Sequence, residues 1–292
     1  MEYTTSSLRV STMVVTAHWG TKINLEKIFQ PLRDQIIPIW YPKEGILKIE
    51  LNNKVLGSCY KDIFTNRKMT KKSFFNQATI ILRRKVNYEE LDTESKEEEK
   101  ETQDAIWKEV NVKLFANGGI QMTGVFSEEF AYKSIEWLYR IISVLPEYPF
   151  EKEKENSNEN ENFISRFSTQ LINTDYSIDK FINQDALHKI LINEYNLFSM
   201  LEKTIYQGIN TKFFYNTQNT DGICNCTKTC KGQGSGDGDQ ECKRITMSIF
   251  RTGKIIITGA REMCQITTAY DYLNNIIKKH CNTVLYEQFN YH

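Results

Sequence analysis

Cys224, Cys226, Cys230 and Cys242 stand in a C-x-C-x3-C-x11-C run within this 292-residue chain. Thiolates are soft ligands, and four of them can complete a tetrahedral structural zinc site. The glycine-rich stretch "GQGSGDGDQ" (232–240) would let the loop wrap around an ion. The spacing departs from the paired C-x2-C knuckle, so a flexible loop carrying free thiols fits the same residues. Other chemistry has little support. Four histidines occur, His18, His188, His280 and His292, and none has metal-ligand spacing to a second histidine or a carboxylate pair. No Walker loop, G-x-S-x-G or H-E-x-x-H run appears, so no enzyme is expected and no cofactor is required.

A second constellation pairs single aromatics with hydroxyl and amide side chains, and it occurs twice. "VKLFANGGIQMTG" (Val112–Gly124) and "MSIFRTGKIIITG" (Met247–Gly259) both read as β-hairpins, with Phe115/Phe250, Gly118/Gly253, Ile120/Ile255, Thr123/Thr258 and Gly124/Gly259 in register. Strand side chains alternate faces. Val110, Val112, Leu114, Ile120 and Met122 share one side of the first copy, as Ile245, Met247, Ile249, Ile255 and Ile257 do in the second. The opposite side carries Asn111, Lys113, Phe115, Gln121 and Thr123, then Thr246, Ser248, Phe250, Ile256 and Thr258. A sheet covered by helices on one face only is the expectation. Apolar wedges among short polar groups suit a surface that prises open the DNA minor groove by unstacking base steps. Thr and aliphatic contacts suit a groove floor that shows mainly acceptors in A·T pairs.

The elements that must position these residues also come in two sets. Each half opens with a strand ("LRVSTMVVTAHW"; "NFISRFSTQLI") and a short amphipathic helix ("NLEKIFQPLRDQI"; "NQDALHKILINEY"). Strands follow ("SFFNQATIILRR"; "TIYQGINTKFFYN"), then an insertion, the hairpin and a longer helix ("SEEFAYKSIEWLYRII"; "REMCQITTAYDYLNNII"). Hairpin and helix repeat at one offset of 135 residues. This is a duplicated α+β unit, since two copies are too few for a solenoid. The domains expected are a first repeat over 8–145 with an acidic insertion at 87–109, a disordered linker over 151–162 ("EKEKENSNENEN"), and a second repeat over 163–285 with a Cys/Gly-rich insertion at 217–243. "GILKIELNNKVLG" in the first half reads as an extra hairpin or an enlarged loop.

Composition sets limits. Lys+Arg and Asp+Glu number 37 each, so nucleic-acid contact would need a local concentration of positive charge. No apolar run approaches membrane-spanning length and no signal peptide opens the chain. Seven cysteines, an odd and partly clustered set, suit a reducing compartment better than a disulfide framework. The expected location is intracellular, without secretion or membrane contact.

At the repeated hairpin and helix the chain resembles the TATA-box-binding protein family, whose signature "IF-x-x-GK-x-x-x-TGA" is matched closely by "SIFRTGKIIITGARE" and more loosely by "KLFANGGIQMTGVFSEE". "STMVVTAHWGTKINLEKIF" is similar to the family's first strand and helix, and the acidic and Asn-rich additions look like divergent versions encoded by large DNA viruses. The resemblance implies an α+β saddle of two pseudo-symmetric repeats, a curved antiparallel sheet with helices on the convex face. It implies kinking aromatics at Phe115 and Phe250, with Tyr206 as the second member in one repeat and Phe74 or, preferably, Phe75 in the other. It implies base contacts from Thr123 and Thr258, with Lys113, Gln121, Ser248 and Ile256 beside them, and phosphate contacts from Arg83, Lys212 and Arg261. The family's central strand asparagines fall on Thr12 and Arg166. Gly119 and Val125 depart from the signature.

The function so implied is a transcription initiation factor that binds and bends promoter DNA through the minor groove, with a transcription factor IIB-like factor and RNA polymerase as partners. The alternative is a protein-interaction adaptor of the transcription machinery that has lost strong DNA binding. The acidic segment is expected to be a solvated loop, or else a guard over the DNA face.

Overall fold

The computed structural model describes residues 2–64, 76–86, 106–151 and 164–287. Most of the acidic insertion (87–105), the linker after Glu151, and Phe74 and Phe75 lie outside the described residues. The chain forms two units, one of residues 12–170 and one of residues 1–11 with 171–292. Their boundaries fall inside strands β1 (Arg9–His18) and β7 (Ser165–Ser177).

The first unit carries β1, a short helix α1 (Leu25–Phe29), the hairpin of β2 (Gly45–Leu51) and β3 (Lys54–Gly57), and helix α2 (Tyr60–Phe64). Strands β4 (Gln77–Lys85), β5 (Trp107–Phe115) and β6 (Gly119–Val125) and the longer helix α3 (Glu128–Ser143) follow. Its strands lie in the order β3-β2-β4-β5-β6-β1, all antiparallel. The second unit runs from β7 through β8 (Phe181–Ile182), α4 (Gln184–Asn193), β9 (Phe198–Glu202), β10 (Tyr206–Tyr215), β11 (Lys243–Ile249) and β12 (Lys254–Ala260) to α5 (Met263–Lys279). A one-turn helix α6 (Cys281–Val284) and β13 (Leu285–Tyr286), which pairs with β8, close it. Its main sheet has the order β7-β12-β11-β10-β9. Leaving aside β3, each unit therefore orders its strands alike, with the opening strand beside the last strand of the repeated hairpin. "GILKIELNNKVLG" is the extra hairpin: Asn52 and Asn53 both take positive φ (49° and 62°), the backbone of a tight turn matched to strand twist.

Helices end where their sequences supply caps. Ser127 accepts the Phe130 N–H at the start of α3, followed by Glu128 and Glu129, whose charge suits a helix N-terminus. Asn183 accepts the Ala186 N–H at α4. The apolar stripe of α3 (Phe130, Ile135, Leu138, Ile142) is buried, and the helix packs on β6. The stripe of α5 (Ile266, Leu273, Ile276, Ile277) packs on β10, β11 and β12. Beneath the helices lie Val110, Val112, Leu114, Ile120 and Met122 in one unit and Ile245, Met247, Ile249, Ile255 and Ile257 in the other, all essentially inaccessible. Each large aliphatic side chain so buried contributes about 1.5–3 kcal/mol. Gly118 and Gly253 recur because the hairpin turn needs φ of 87° and 85°, and a Cβ there would strike the Thr21 and Ile178 carbonyls respectively.

Candidate nucleic-acid interface

The sheet faces opposite the helices follow from strand register. In the second unit Lys212 pairs with Phe198 and Thr246, Thr246 with Thr258, and Thr258 with Asn173. One cross-strand row thus reads Phe198–Lys212–Thr246–Thr258–Asn173. The next row reads Met200–Asn210–Ser248–Ile256–Asp175 by the same pairings. Phe198 and Met200 are 60% and 54% exposed, which marks this as the uncovered face. Asn173 and Thr258 are joined by a short side-chain hydrogen bond. Asp175, an acid unsuited to meeting phosphate, is neutralised by Arg9 (3.1 Å) and Lys254 (3.5 Å).

At the hairpin end of this face Tyr206 and Phe250 pack edge to face, with centroids 5.6 Å apart and planes at 62°. Tyr206 is 40% exposed and its neighbour Ile205 86%. Gly208 leaves room beneath them: a Cβ there would sit 3.0 Å from one ring and 3.1 Å from the other. Lys212 donates to Thr246 Oγ1 (2.9 Å), and burial together with the Arg244 charge lowers its pKa. Burial, Arg261 and Arg244 depress Lys243 in the same way. Lys212, Arg244 and Arg261 have no carboxylate partner within 4 Å among the described residues, and Lys243, near Arg244 and Arg261, is buried and adds charge from below.

In the first unit the matching rows are Asn111–Thr123–Val14 and Thr79–Lys113–Gln121–Thr16. Phe115 pairs with Gln77 and is half-buried on this face. The outer part of the face is covered, because the segment after β3 folds over it. Cys59 packs with Ile81, Leu47 and Ile37; Lys48 bonds Asp62 (3.0 Å); the Tyr60 N–H donates to Glu109 Oε1 (3.1 Å). Burial pushes the Asp62 carboxyl up, but the Cys59 N–H and the Lys48 ammonium outweigh it and hold it below its ordinary value. Burial and Asp62 push the Cys59 thiol up.

Several expected site residues are re-placed. Arg83 is not open to phosphate: it is 3% exposed, donating to the carbonyls of Ile39 and Tyr41 and stacking over Tyr60. The resemblance offered it as a phosphate contact, but the 37–43 loop closes over it. Arg166 lies at the start of β7 with φ of 51°, and Asn173 occupies the position beside the hairpin threonine. Thr12 accepts the Gly124 N–H (3.3 Å), and Val14 stands opposite Thr123. Register shifts next to both threonine pairs moved these strands out of simple alignment. Ser248 lies on the expected row but is 5% exposed. Lys113, Gln121, Thr123, Ile256 and Thr258 are half-buried on the uncovered faces, Arg261 is exposed, and Phe75 lies outside the described residues. Phe198, Met200, Asn210 and Asn173 went unnoticed; the alternation of "FSMLE" signalled the first two.

The four sequence-adjacent cysteines do come together, with sulfurs all within 4.8 Å of one another.

The family model described as "Transcription factor TFIID (or TATA-binding protein, TBP)" matches residues 239–280, the β11–β12–α5 unit. A "TATA-box-binding protein-like" protein of Acanthamoeba polyphaga mimivirus is 23% identical over 287 residues, covering 94% of this chain. The chain spans 66% of that relative's length. Among solved structures, Methanococcus jannaschii TBP is matched at a TM-score of 0.45 and 14% identity, over 94% of this chain and 99% of that one. With the family signature in 239–280 and a sequence match along nearly its whole length, the chain is similar to TATA-binding proteins.

Proposed function

We propose that the protein binds double-stranded promoter DNA through the uncovered sheet faces and bends it by driving aromatic side chains into the minor groove, as a transcription initiation factor. The observation that carries this reading is the Tyr206–Phe250 pair, two partly exposed rings at the hairpin end of a face lined by Thr246, Thr258 and Asn173. Aliphatic residues already fill the space under α5, so the core does not need these rings. Unstacking a base step costs about a few kcal/mol, offset by the contacts a bent duplex makes. Lys212, Arg244 and Arg261 supply phosphate contacts, which position the protein without reading sequence. A IIB-like factor and RNA polymerase are the partners this role implies, and an intracellular site of transcription, nuclear or viral, is where it would act.

End-labelled A·T-rich duplexes report bending by energy transfer. The wild-type chain shortens the end-to-end distance, and Phe250→Ala with Tyr206→Ala abolishes the change while thermal unfolding stays near the wild-type temperature. A duplex that stays straight with wild-type protein, at low salt and saturating concentration, refutes bending. An adaptor role is favoured by a separate observation, the covered face of the first unit, where Tyr60, Ile63 and Phe64 are 47%, 59% and 79% exposed on the covering segment. Under that reading the duplex stays straight and substitutions at Ile63 and Phe64 disrupt a protein complex instead.

A further inference from the structure

The cysteine-rich insertion between β10 and β11 plays no part in the sheet face. Cys226 and Cys242 sulfurs are 3.4 Å apart, and Cys224 and Cys242 sulfurs 3.9 Å. A zinc ion bound by four thiolates at about 2.3 Å in a tetrahedron requires sulfurs about 3.8 Å apart. A disulfide requires about 2.05 Å and joins sulfurs in pairs. Four sulfurs all within 4.8 Å of one another match the first geometry.

N–H groups converge on three of the four sulfurs. The Gln240 N–H points at Cys226 Sγ (3.0 Å), the Gly232 N–H at Cys230 Sγ (3.4 Å) and the Asn216 side-chain amide at Cys242 Sγ (3.5 Å). N–H donors to sulfur stabilise its charged, metal-binding form. The backbone is folded to bring the sulfurs together, with positive φ at Gly222, Gly232, Gly236, Gly238 and Gln240. Ile223 is the only aliphatic residue between Thr217 and Glu241, so apolar burial cannot hold this loop. Yet the loop makes specific contacts: the Arg244 N–H donates to Gly232 O (2.9 Å), and Gln265 Nε2 in the first turn of α5 donates to Ser235 O (3.0 Å). A groove of about 500 Å³, bordered by Asn216, Asn219, Thr227 and Asp239, opens beside Cys226 and Cys242 and gives an ion access.

We infer that Cys224, Cys226, Cys230 and Cys242 hold one structural zinc ion, which staples the insertion to the β10–β11 hairpin and to the start of α5. The site is closed, with four protein ligands and no open position, so its role is folding and not catalysis. It stands independently of DNA binding.

The test uses the full chain purified under reducing conditions without chelator. Elemental analysis is expected to give one zinc per chain, and cobalt exchanged into the site is expected to give the visible absorption and sulfur charge-transfer bands of a tetrahedral thiolate centre. Cys226→Ser and Cys242→Ser lose the metal, while Cys264→Ser keeps it. Chelation of the wild-type chain lowers its melting temperature and speeds tryptic cleavage after Lys228 and Lys231. Stoichiometric iron, an intact mass showing disulfides, or four thiols that react freely and take up neither added zinc nor cobalt would overturn the inference. Should the serine variants fail to fold, cobalt uptake by the wild-type chain decides alone.

Discussion

Asn173 is where strand register corrected sequence alignment, and it carries a sharp expectation. Thr258 donates its hydroxyl to Asn173 Oδ1, which fixes the amide on the uncovered face and leaves its NH2 group as the donor able to meet acceptors on a groove floor. Asn173→Ala should weaken binding to an A·T-rich site by about tenfold, within the ~1–3 kcal/mol of a base contact. Melting should change little, since only the bond to the exposed-side Thr258 is lost. Equal weakening on every duplex sequence would assign Asn173 to backbone contact instead. Val14 at the matching place in the first unit offers no hydrogen bond, so the two units should not read equal half-sites. The threonines, the aromatics and the aliphatic stripe were legible in the sequence because period-two alternation sorts them without knowing their neighbours. Asn173 was not, because a register shift between Thr258 and Ala260 displaces the neighbouring strand by an amount no local pattern records.

At the scale of elements, the covering segment of the first unit has no counterpart among the described residues of the second. It follows from the extra β2–β3 hairpin, whose return strand ends at Gly57 and sends Ser58–Phe64 back over Ile81. Asp62 pins it, accepting from the Cys59 N–H (2.9 Å) and Lys48 (3.0 Å). A carboxyl held below its ordinary value contributes stability that is complete above the unfolded-state pKa and disappears as pH falls through the folded one. The segment should therefore loosen only below the usual Asp range near 3.8 and stay closed at neutral pH. Asp62→Asn should loosen it at neutral pH. Cys59, buried and with a raised pKa, should then react with a thiol reagent several-fold faster, while the melting temperature falls by a few degrees at most. Unchanged labelling would show that apolar packing alone holds the segment. The hairpin itself was foreshadowed by "LNNK", but its return over the face depends on contacts with residues far along the chain, which local periodicity cannot report.

For the whole molecule, zero net charge conceals a division. Residues 87–105 contain nine acids and two lysines, a net −7, so the rest of the chain carries +7. These residues lie outside the described structure, and their charge acts over a distance whatever their conformation. At low salt they oppose the approach of a polyanion that the cationic cluster around Lys212, Arg244 and Arg261 attracts. The ends of β4 and β5 meet at the Val86–Ile106 backbone bond (3.0 Å), so a two-residue Asn-Gly turn can replace 87–105 without disturbing the pair. Cutting to Glu109 would instead remove part of β5, which begins at Trp107. The shortened chain should associate with DNA about tenfold faster at low ionic strength. At about 1 M salt, where the Debye length shrinks to about 3 Å, the difference should vanish. Bending should be unaffected, because the wedges remain. A gain that persists at high salt would mean that the segment occupies the DNA face directly, and no gain at any salt would mean that its charge is spent on something other than DNA.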